Sequence, residues 1–290
     1  MDQQLERMLT YLPEHIARAV RNAAGISTAE ELRLRAARPP QLVFANGEAL
    51  AEGAVFSRAD ARELLSKLCR HSVYSCEEEL LSGFVTVEGG ARVGVCGRPV
   101  VDRGRIVRLT EVTGFNIRFT REAVGCAEAV MGFVTEGGRP VSALIAAPPA
   151  GGKTTLLRDI IRCFSHGVGC VPCKVAVADE RGELAGCRDG VPSFDIGPRT
   201  DVMELAPKAE SIGLLIRSMS PELIVTDELG SSRDAAAIAE AARCGVAVIA
   251  SAHASSAEDL LRRPALSAAL DSGVFKRVLL LKRSGSRLSV

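Results

Sequence analysis

The sequence has no tryptophan and only two tyrosines, and aromatic residues make up 4% of its 290 residues. Proteins that grip single-stranded nucleic acid stack the bases on aromatic side chains, so this shortage argues against extensive base stacking. The formal net charge is only +1, which provides no overall basic field for nucleic acid. We therefore do not expect nucleic acid to be the partner.

Long apolar runs are also missing. No uninterrupted run approaches the roughly 20 residues that cross a bilayer, and the opening residues 1–7 do not have the form of a signal peptide. We expect a cytoplasmic protein, and any association with a membrane should come through a protein partner. The nine cysteines are scattered, and only Cys170 and Cys173 have metal-like spacing. Without a second Cys or His pair, two ordinary thiols are favoured over a zinc or redox site.

The sequence does contain a motif typical of a phosphate-binding loop, placed between an apolar run and a helical pattern. Its pattern is G-x-x-x-x-G-K-[ST], except that alanine occupies the first glycine position. Lys153 is predicted to reach the β and γ phosphates, and Thr154 to ligate Mg²⁺. A strand-turn-helix corner without a ligand is the alternative. The residues of this loop are Ala147, Pro148, Pro149, Ala150, Gly151, Gly152, Lys153, Thr154 and Thr155.

A second motif is the apolar run 223–226, which ends in Asp227 and Glu228. It has the form of a Walker B strand, in which Asp227 would hold Mg²⁺ and Glu228 would orient or deprotonate the attacking water. A strand that is apolar on both faces indicates a buried parallel sheet, whose carboxyl ends bind ligands. The alternative is a solvated acidic pair that caps a helix beginning near Ser231.

Further polar residues follow other predicted strands. The strand 246–250 leads to His253, which we predict to sense the γ-phosphate. The segment 179–183 and a loop over 197–201 are rich in turn-forming residues, and both are compatible with surface turns. Their charged residues Glu180 and Arg199 could instead face the nucleotide or a neighbouring subunit.

These motifs, together with residues 216–221, appear in the order seen in the stage III sporulation protein AA family, which the chain resembles. Residues 211–257 also resemble type II and type IV secretion ATPases. The resemblance implies an ATPase of endospore formation that uses ATP and Mg²⁺ and forms a homo-oligomeric ring, a hexamer in that superfamily. It also implies partners among membrane-embedded sporulation channel proteins, with the ATPase on the mother cell side. The preference for ATP over GTP rests on this resemblance alone.

The first half of the chain predicts a smaller domain. A helix is predicted over 2–24 and another over 60–70, and Asn46-Gly47 is a hairpin signal. Short alternating runs predict an antiparallel sheet, with strands at 31–35, 41–44, 84–87, 92–95 and 105–108. By the resemblance, Arg92 or Arg118 of this sheet could reach a γ-phosphate.

The fold class expected from these patterns is α/β, a RecA-like P-loop NTPase core with a parallel-rich sheet at 123–290. A smaller α+β domain precedes it at 1–122. The predicted activity is Mg²⁺-dependent ATP hydrolysis by in-line attack of water, with Lys153, Glu228 and His253 as catalytic residues. Two alternatives stay open, namely a nucleic-acid-binding P-loop NTPase and a nucleotide-gated assembly subunit with little turnover. Ala147 leaves the latter open, although Asp227 and Glu228 argue against it.

Overall fold

A computed structural model describes residues 3–69, 76–87, 92–119, 122–149, 151–187, 190–284 and 287–289. The chain divides into two compact units, Met1–Arg121 and Glu122–Val290. Across these described ranges, the helices are all too short or too polar to span a bilayer.

The first unit contains one six-stranded sheet with helices beside it. The strand order is β3-β2-β1-β6-β5-β4, and each neighbouring pair is antiparallel. The elements are α1 (Gln3–Tyr11), α2 (Glu14–Asn22), β1 (Glu31–Arg35), β2 (Gln41–Phe44), β3 (Gly47–Leu50), α3 (Arg58–Leu68), α4 (Glu77–Leu81), β4 (Phe84–Thr86), β5 (Arg92–Asp102) and β6 (Arg105–Arg118).

The single helix predicted over 2–24 is wrong, because the segment forms two helices with Pro13 between them. Proline has no backbone N–H and disfavours helical dihedrals at the residue before it, so α1 cannot continue through this point. The predicted β1 and β2 are confirmed. Their hairpin with β3 is also present, although residues 45–46 form its loop and Gly47 already belongs to β3.

The β5 and β6 strands run much further than the four-residue segments predicted for them. They have 11 and 14 residues, and Arg103 and Gly104 join them in a two-residue turn. Both turn residues have positive φ, 47° and 78°, as the right-handed twist of a tight hairpin favours. Arg70, the last residue of the helix predicted over 60–70, lies outside the described residues.

The second unit is built on a six-stranded parallel sheet ordered β11-β10-β12-β13-β9-β14. Two short antiparallel pairs lie outside it. The elements are α5 (Met131–Val134), β7 (Thr135–Glu136), β8 (Arg139–Pro140), β9 (Ala143–Ala147), α6 (Lys153–His166), β10 (Val175–Asp179), β11 (Thr200–Glu204), α7 (Lys208–Met219), β12 (Leu223–Thr226), α8 (Ser232–Arg243), β13 (Ala247–His253), α9 (Ala257–Leu261), α10 (Pro264–Asp271), β14 (Arg277–Leu280), β15 (Lys282–Ser284) and β16 (Arg287–Ser289).

The central strands β9, β10 and β12 are buried along their whole length. Alternate residues of β9 pack against α6 on one face and against the layer containing α7, α8 and α10 on the other. Apolar side chains on both faces are therefore required, as is usual for parallel sheets. This confirms the predicted α/β core with a parallel sheet. The carboxyl ends of β9, β13, β12 and β10 meet at one edge.

Candidate nucleotide-binding site

The phosphate loop connects β9 to α6 and is shaped by two glycines. Gly152 has a left-handed φ of 83°, and the Gly151 N–H donates to the Pro148 carbonyl oxygen at 3.1 Å. A Cβ added to Gly151 would lie 2.7 Å from the Ala147 Cβ and 2.8 Å from the Pro148 oxygen. The turn therefore requires glycine at 151. Ala150 lies outside the described residues.

Ala147 occupies the position where the usual loop has glycine. It is the last residue of β9, is buried, and is not among the residues with positive φ. Alanine causes no backbone strain in such a conformation, and the missing side chain of Gly151 leaves space for its methyl group. This departure from the usual motif is therefore compatible with a tight loop. Thr154 and Thr155 lie in the first turn of α6 and are both partly exposed.

Lys153 is buried and turned back onto the loop. Its Nζ donates to the carbonyl oxygens of Ala147 and Pro148, each at 3.0 Å, and lies 2.9 Å from His253 Nδ1. An ammonium group has three N–H bonds, so this arrangement engages all of them. Burial lowers the pKa of Lys153, and the carboxylate of Glu228 opposes that shift. A phosphate group must therefore replace carbonyl contacts to bind this ammonium.

His253 and Glu228 extend this set of contacts. His253 is the last residue of β13, and its Nε2 lies 3.4 Å from Glu228 Oε1. If Lys153 donates to Nδ1, the imidazole is neutral and carries its proton on Nε2, facing Glu228. Because β9, β13 and β12 are neighbours in the sheet, the structure brings three of the predicted site residues together.

Asp227 follows β12 directly and is buried. Burial raises its pKa to about 6, the Lys208 ammonium opposes the shift, and the Asp179 carboxylate adds to it. The alternative that Asp227 and Glu228 cap the next helix is excluded, because Ser231 and Asp234 form the capping box of α8.

The residues near Asp227 fit a magnesium ion. Asp227 Oδ1 is buried, and among the described residues its polar contact is the ion pair with Lys208 Nζ at 3.2 Å. Mg²⁺ prefers oxygen ligands and commonly takes one or two carboxylates beside phosphate oxygens. The buried carboxylate of Asp227 and the hydroxyl of Thr154 are oxygen ligands of that kind.

Lys208 is a residue that the sequence reasoning missed. It is the first residue of α7, and its side chain is only 2% exposed. Its Nζ donates to the main-chain oxygen of Glu228 at 2.5 Å and lies 3.7 Å from Glu180 Oε2. A cation in the first turn of a helix interacts unfavourably with the helix dipole. A lysine directly after Pro207 was therefore a sequence signal that this side chain has another partner.

Arg181 is the second missed residue. Its Nη1 lies 2.8 Å from Glu228 Oε2, although its own side chain is 54% exposed. The Glu228 carboxylate is therefore held between the guanidinium of Arg181 and the ring of His253. The sequence pointed to the segment 179–183 but not to this residue, because the contact joins two strand ends that are distant along the chain.

The loop that carries Glu180 and Arg181 is fixed from two sides. The carboxylate of Asp179 accepts hydrogen bonds from the N–H groups of residues 183–185. Arg158, from the helix that follows the phosphate loop, donates to the carbonyl oxygens of Glu183 and Leu184. Hydrogen bonds thus tie this loop to α6.

Arg199 does not lie at the edge of the sheet that carries the glycine loop. Its N–H donates to Ser165 Oγ and its Nη1 to the Ser165 carbonyl oxygen, at the carboxyl end of α6. It precedes β11, which begins at Thr200, so it lies at the amino edge of the parallel sheet. The phosphate loop lies at the opposite edge. The segment 197–201 is therefore only partly a loop.

The remaining candidates have ordinary partners. Cys170 Sγ donates to the Cys163 carbonyl oxygen at 3.4 Å, and burial raises the pKa of Cys173 to about 12. In the first unit, the Arg92 guanidinium lies 4.7 Å from the centre of the Phe84 ring. Arg118 forms an ion pair with Glu31 at 3.2 Å.

Solved structures share this architecture. The ATPase DotB of Legionella pneumophila superposes with a TM-score of 0.60 and 16% identity, over 98% of this chain and 77% of that one. The pilus retraction motor PilT with bound ADP gives a TM-score of 0.58 and 15% identity, over 88% and 74% of the two chains. At such identities the likeness concerns the fold. The chain thus has the RecA-like P-loop NTPase fold of the secretion ATPases, preceded by an antiparallel-sheet unit.

The sequence comparisons are more specific. Stage III sporulation protein AA of Bacillus subtilis (strain 168) is 41% identical over 256 residues, which are 88% of this chain and 83% of that protein. The family described as "Sporulation stage III, protein AA" matches residues 2–290. The chain belongs to this family. A more distant relative, Protein SEEDLING PLASTID DEVELOPMENT 1 of Arabidopsis thaliana, is 30% identical over 161 residues, 55% of this chain and 22% of that protein.

Proposed function

We propose that this protein is a Mg²⁺-dependent ATPase of endospore formation that energises or assembles a channel complex between mother cell and forespore. One observation carries the enzymatic part of the proposal. His253, at the end of β13, contacts both Lys153, the first residue of α6, and Glu228, which closely follows β12. The three residues lie directly beside a glycine-dependent loop at a helix amino terminus. A phosphate-binding cation and a candidate general base therefore share one edge of the sheet.

The loop and α6 bind the polyphosphate. The amino terminus of α6 carries about half a positive charge, and its free N–H groups are suited to an anion. Lys153 exchanges the carbonyl oxygens of Ala147 and Pro148 for phosphate oxygens. This exchange is favourable because the ammonium then faces an acceptor of opposite charge, which adds Coulomb attraction to the hydrogen bond.

Glu228 accepts the proton of the water that attacks the γ-phosphorus in line. Arg181 and His253 position its carboxylate, while Lys208 fixes its main-chain oxygen. His253 also contacts Lys153. When the Lys153 ammonium moves to a phosphate oxygen, His253 loses this contact, and the surroundings of Glu228 change as well. Mg²⁺, held by Thr154 and Asp227, would neutralise charge on the phosphates.

The biological part of the proposal rests on likeness. The Bacillus subtilis relative is a sporulation protein by name, and DotB and PilT are described as an ATPase and a motor. By that resemblance the chain forms a homo-oligomeric ring, a hexamer, and meets membrane-embedded channel proteins of the same sporulation system. Arg92 and Arg118 are then candidates to reach the γ-phosphate of an adjacent site.

The substitution Glu228→Gln tests the assigned role directly. Removing a general base lowers the turnover rate by about 10²–10⁴-fold, whereas calorimetric binding of ATP with magnesium should persist. Glu240→Gln, an exposed residue paired with Arg243 on α8, is the matched control and should keep normal turnover.

Two outcomes would contradict this account. Unchanged turnover in Glu228→Gln removes Glu228 from its role. An unchanged heat of ATP association in Lys153→Ala would show that the loop is not the phosphate site.

A second candidate function is a nucleotide-gated assembly subunit that binds ATP with little turnover. It is favoured by the engagement of all three Lys153 N–H bonds within the protein and by the ion pair between Arg181 and Glu228. Phosphate release by purified ring and monomer fractions decides between the two. A ring fraction that binds ATP and releases no phosphate supports the assembly subunit.

A further inference from the structure

The outer part of the β5–β6 hairpin extends beyond the rest of its sheet. We call residues 98–109 the distal ribbon. The strand β4 pairs with β5 only at residues 92–94, and β1 pairs with β6 only at residues 114–118. Within the described part of the chain, no third strand therefore flanks the distal ribbon.

The distal ribbon exposes aliphatic side chains. Val101 and Ile106 form a cross-strand pair and are 58% and 55% exposed, while Val100 and Val107 are each 42% exposed. Successive side chains in a strand point to opposite faces. Val100 and Val101 consequently place apolar surface on both faces of the ribbon, which is unusual for a solvated hairpin.

The edges of the distal ribbon are less suited to a partner than its faces. Pro99 removes one N–H donor from β5, and the register shifts between Cys96 and Arg98 and between Val100 and Val101. Prolines and bulges are devices that block the addition of a further strand. A ligand of this element is therefore expected to meet side chains and not the backbone.

The charge of the distal ribbon is strongly positive. Residues 98–108 contain four arginines and one aspartate, a formal charge of +3, whereas the whole chain has +1. Among the described residues, Arg98, Arg103 and Arg105 form no ion pair, and only Arg108 approaches an acid, Glu77, at 3.4 Å. Three arginines are thus available to an anionic surface.

From these features we infer that the distal ribbon is a membrane-docking element that inserts its tip into the interface of a bilayer containing acidic lipids. A bilayer interface surrounds an inserted ribbon, so it covers both apolar faces at once. A folded partner would need a deep two-walled slot for the same purpose. Acidic head groups complement the free arginines, and apolar insertion combined with basic attraction is the usual basis of peripheral membrane binding.

Flotation of the purified full chain with lipid vesicles tests the inference, independently of any ATPase activity. The chain should float with vesicles that contain phosphatidylcholine and phosphatidylglycerol, and should not float with phosphatidylcholine alone. Added salt should weaken the association, because the attraction is screened.

Two double variants separate the apolar and charged contributions. Val101→Ser with Ile106→Ser should weaken vesicle binding about tenfold or more, because the apolar area that enters the bilayer is lost. Arg103→Gln with Arg105→Gln should weaken it about 25-fold, about fivefold for each arginine. The melting temperature should stay unchanged for both, since all four side chains are exposed.

Matched controls lie elsewhere in the same unit. Leu50→Ser with Val55→Ser replaces aliphatic residues of similar exposure, 57% and 55%, and should leave vesicle binding unchanged. Arg58→Gln with Arg62→Gln, on exposed positions of α3, is the corresponding control for charge.

The inference is overturned if the chain does not float with acidic vesicles, or if the ribbon variants bind as well as the controls. It is also overturned if light scattering without lipid shows that the ribbon variants alone dissociate an oligomer. That outcome would assign the ribbon to contacts between copies of this chain.

Discussion

The two units differ most in what they bury. In the first unit, the only polar or charged residue classed as buried among those described is Asp60. In the second unit there are twelve: Ser142, Lys153, Arg158, Asp159, Arg162, Ser165, Asp179, Lys208, Ser211, Thr226, Asp227 and Ser251. Buried charge is expensive unless it is paired and hydrogen-bonded. The first unit is held mainly by apolar packing, whereas the second buries several charged residues, four of them near the candidate site.

Sheet type explains where those charges lie. The antiparallel sheet can leave one face in water, so its arginines point outwards. The parallel sheet is covered on both faces, and its polar groups concentrate at the strand ends. Lys153, Lys208, Asp179 and Asp227 all lie at or near the carboxyl edge.

The largest expected effect is that of Lys208→Met. It leaves Asp227 buried without its counter-charge, and breaking a buried ion pair in this way costs about 3–5 kcal/mol. Urea denaturation should show this loss in the free energy of unfolding. The control Lys276→Met removes an exposed lysine paired with Glu136 at 3.7 Å and should change it by less than about 1 kcal/mol. If Lys208→Met lowers the free energy of unfolding by less than about 1 kcal/mol, the second unit tolerates an unpaired buried charge.

The next largest expected effect is a dependence of the free energy of unfolding on pH. The pKa of Asp227 is raised from 3.8 to about 6, so between these values the folded chain binds more protons than the unfolded chain. Its stability should therefore fall as pH rises from about 4 to about 6, by up to about 3 kcal/mol. Urea denaturation of Asp227→Asn over the same range should lack this component. Parallel profiles for the two proteins would contradict the raised pKa.

A smaller effect is expected from Gly151→Ala. The new methyl group would clash with Ala147 and with the Pro148 carbonyl oxygen, and overpacking of this kind costs about 1–3 kcal/mol. It should also weaken ATP binding in calorimetry. Gly230→Ala, in open space near Glu228, should leave both quantities almost unchanged.

Gly97→Ala provides the counterpart in the first unit. Its added Cβ would lie 2.7 Å from the Val112 Cα, so it should lower stability to a similar extent. Its effect on ATP binding should be absent. Loss of binding in Gly97→Ala would contradict the division of roles between the two units.

The smallest expected effect comes from removing helix caps of the same type in the two units. The α3 helix in the first unit and the α8 helix in the second both begin with a capping box, formed by Ser57 with Asp60 and by Ser231 with Asp234. Ser57→Ala and Ser231→Ala should each lower the free energy of unfolding by about 1 kcal/mol. Strongly unequal values in chemical denaturation would mean that the surrounding unit, and not the cap, sets the cost.

Much of the fold was predictable because it follows from local patterns. The apolar strands before Lys153 and Asp227 are short, and a loop or helix signal follows each of them, so their parallel pairing was predictable. The break at Pro13 was visible in the sequence and was overlooked. The length of β5 and β6 was missed because Val100, Val101, Ile106 and Val107 face solvent, which removes the alternation that marks a half-buried strand.

The candidate site was predictable only in part. Lys153, Asp227, Glu228 and His253 stand in recognisable motifs, and their catalytic roles stay predictions. The alternatives for Arg199 stayed open because its distance along the chain from the other motifs gives no information about which end of the sheet it occupies.

The sequence by itself determined the parallel core, the glycine loop and the order of the strand-end motifs, since each depends on hydrophobic periodicity or on local turn chemistry. Only the tertiary structure decided that Lys208 lies beside Asp227 and that Arg181 and His253 hold Glu228. These contacts join residues that are distant along the chain and meet because the sheet order places their strands side by side. No local signal in the sequence encodes that order.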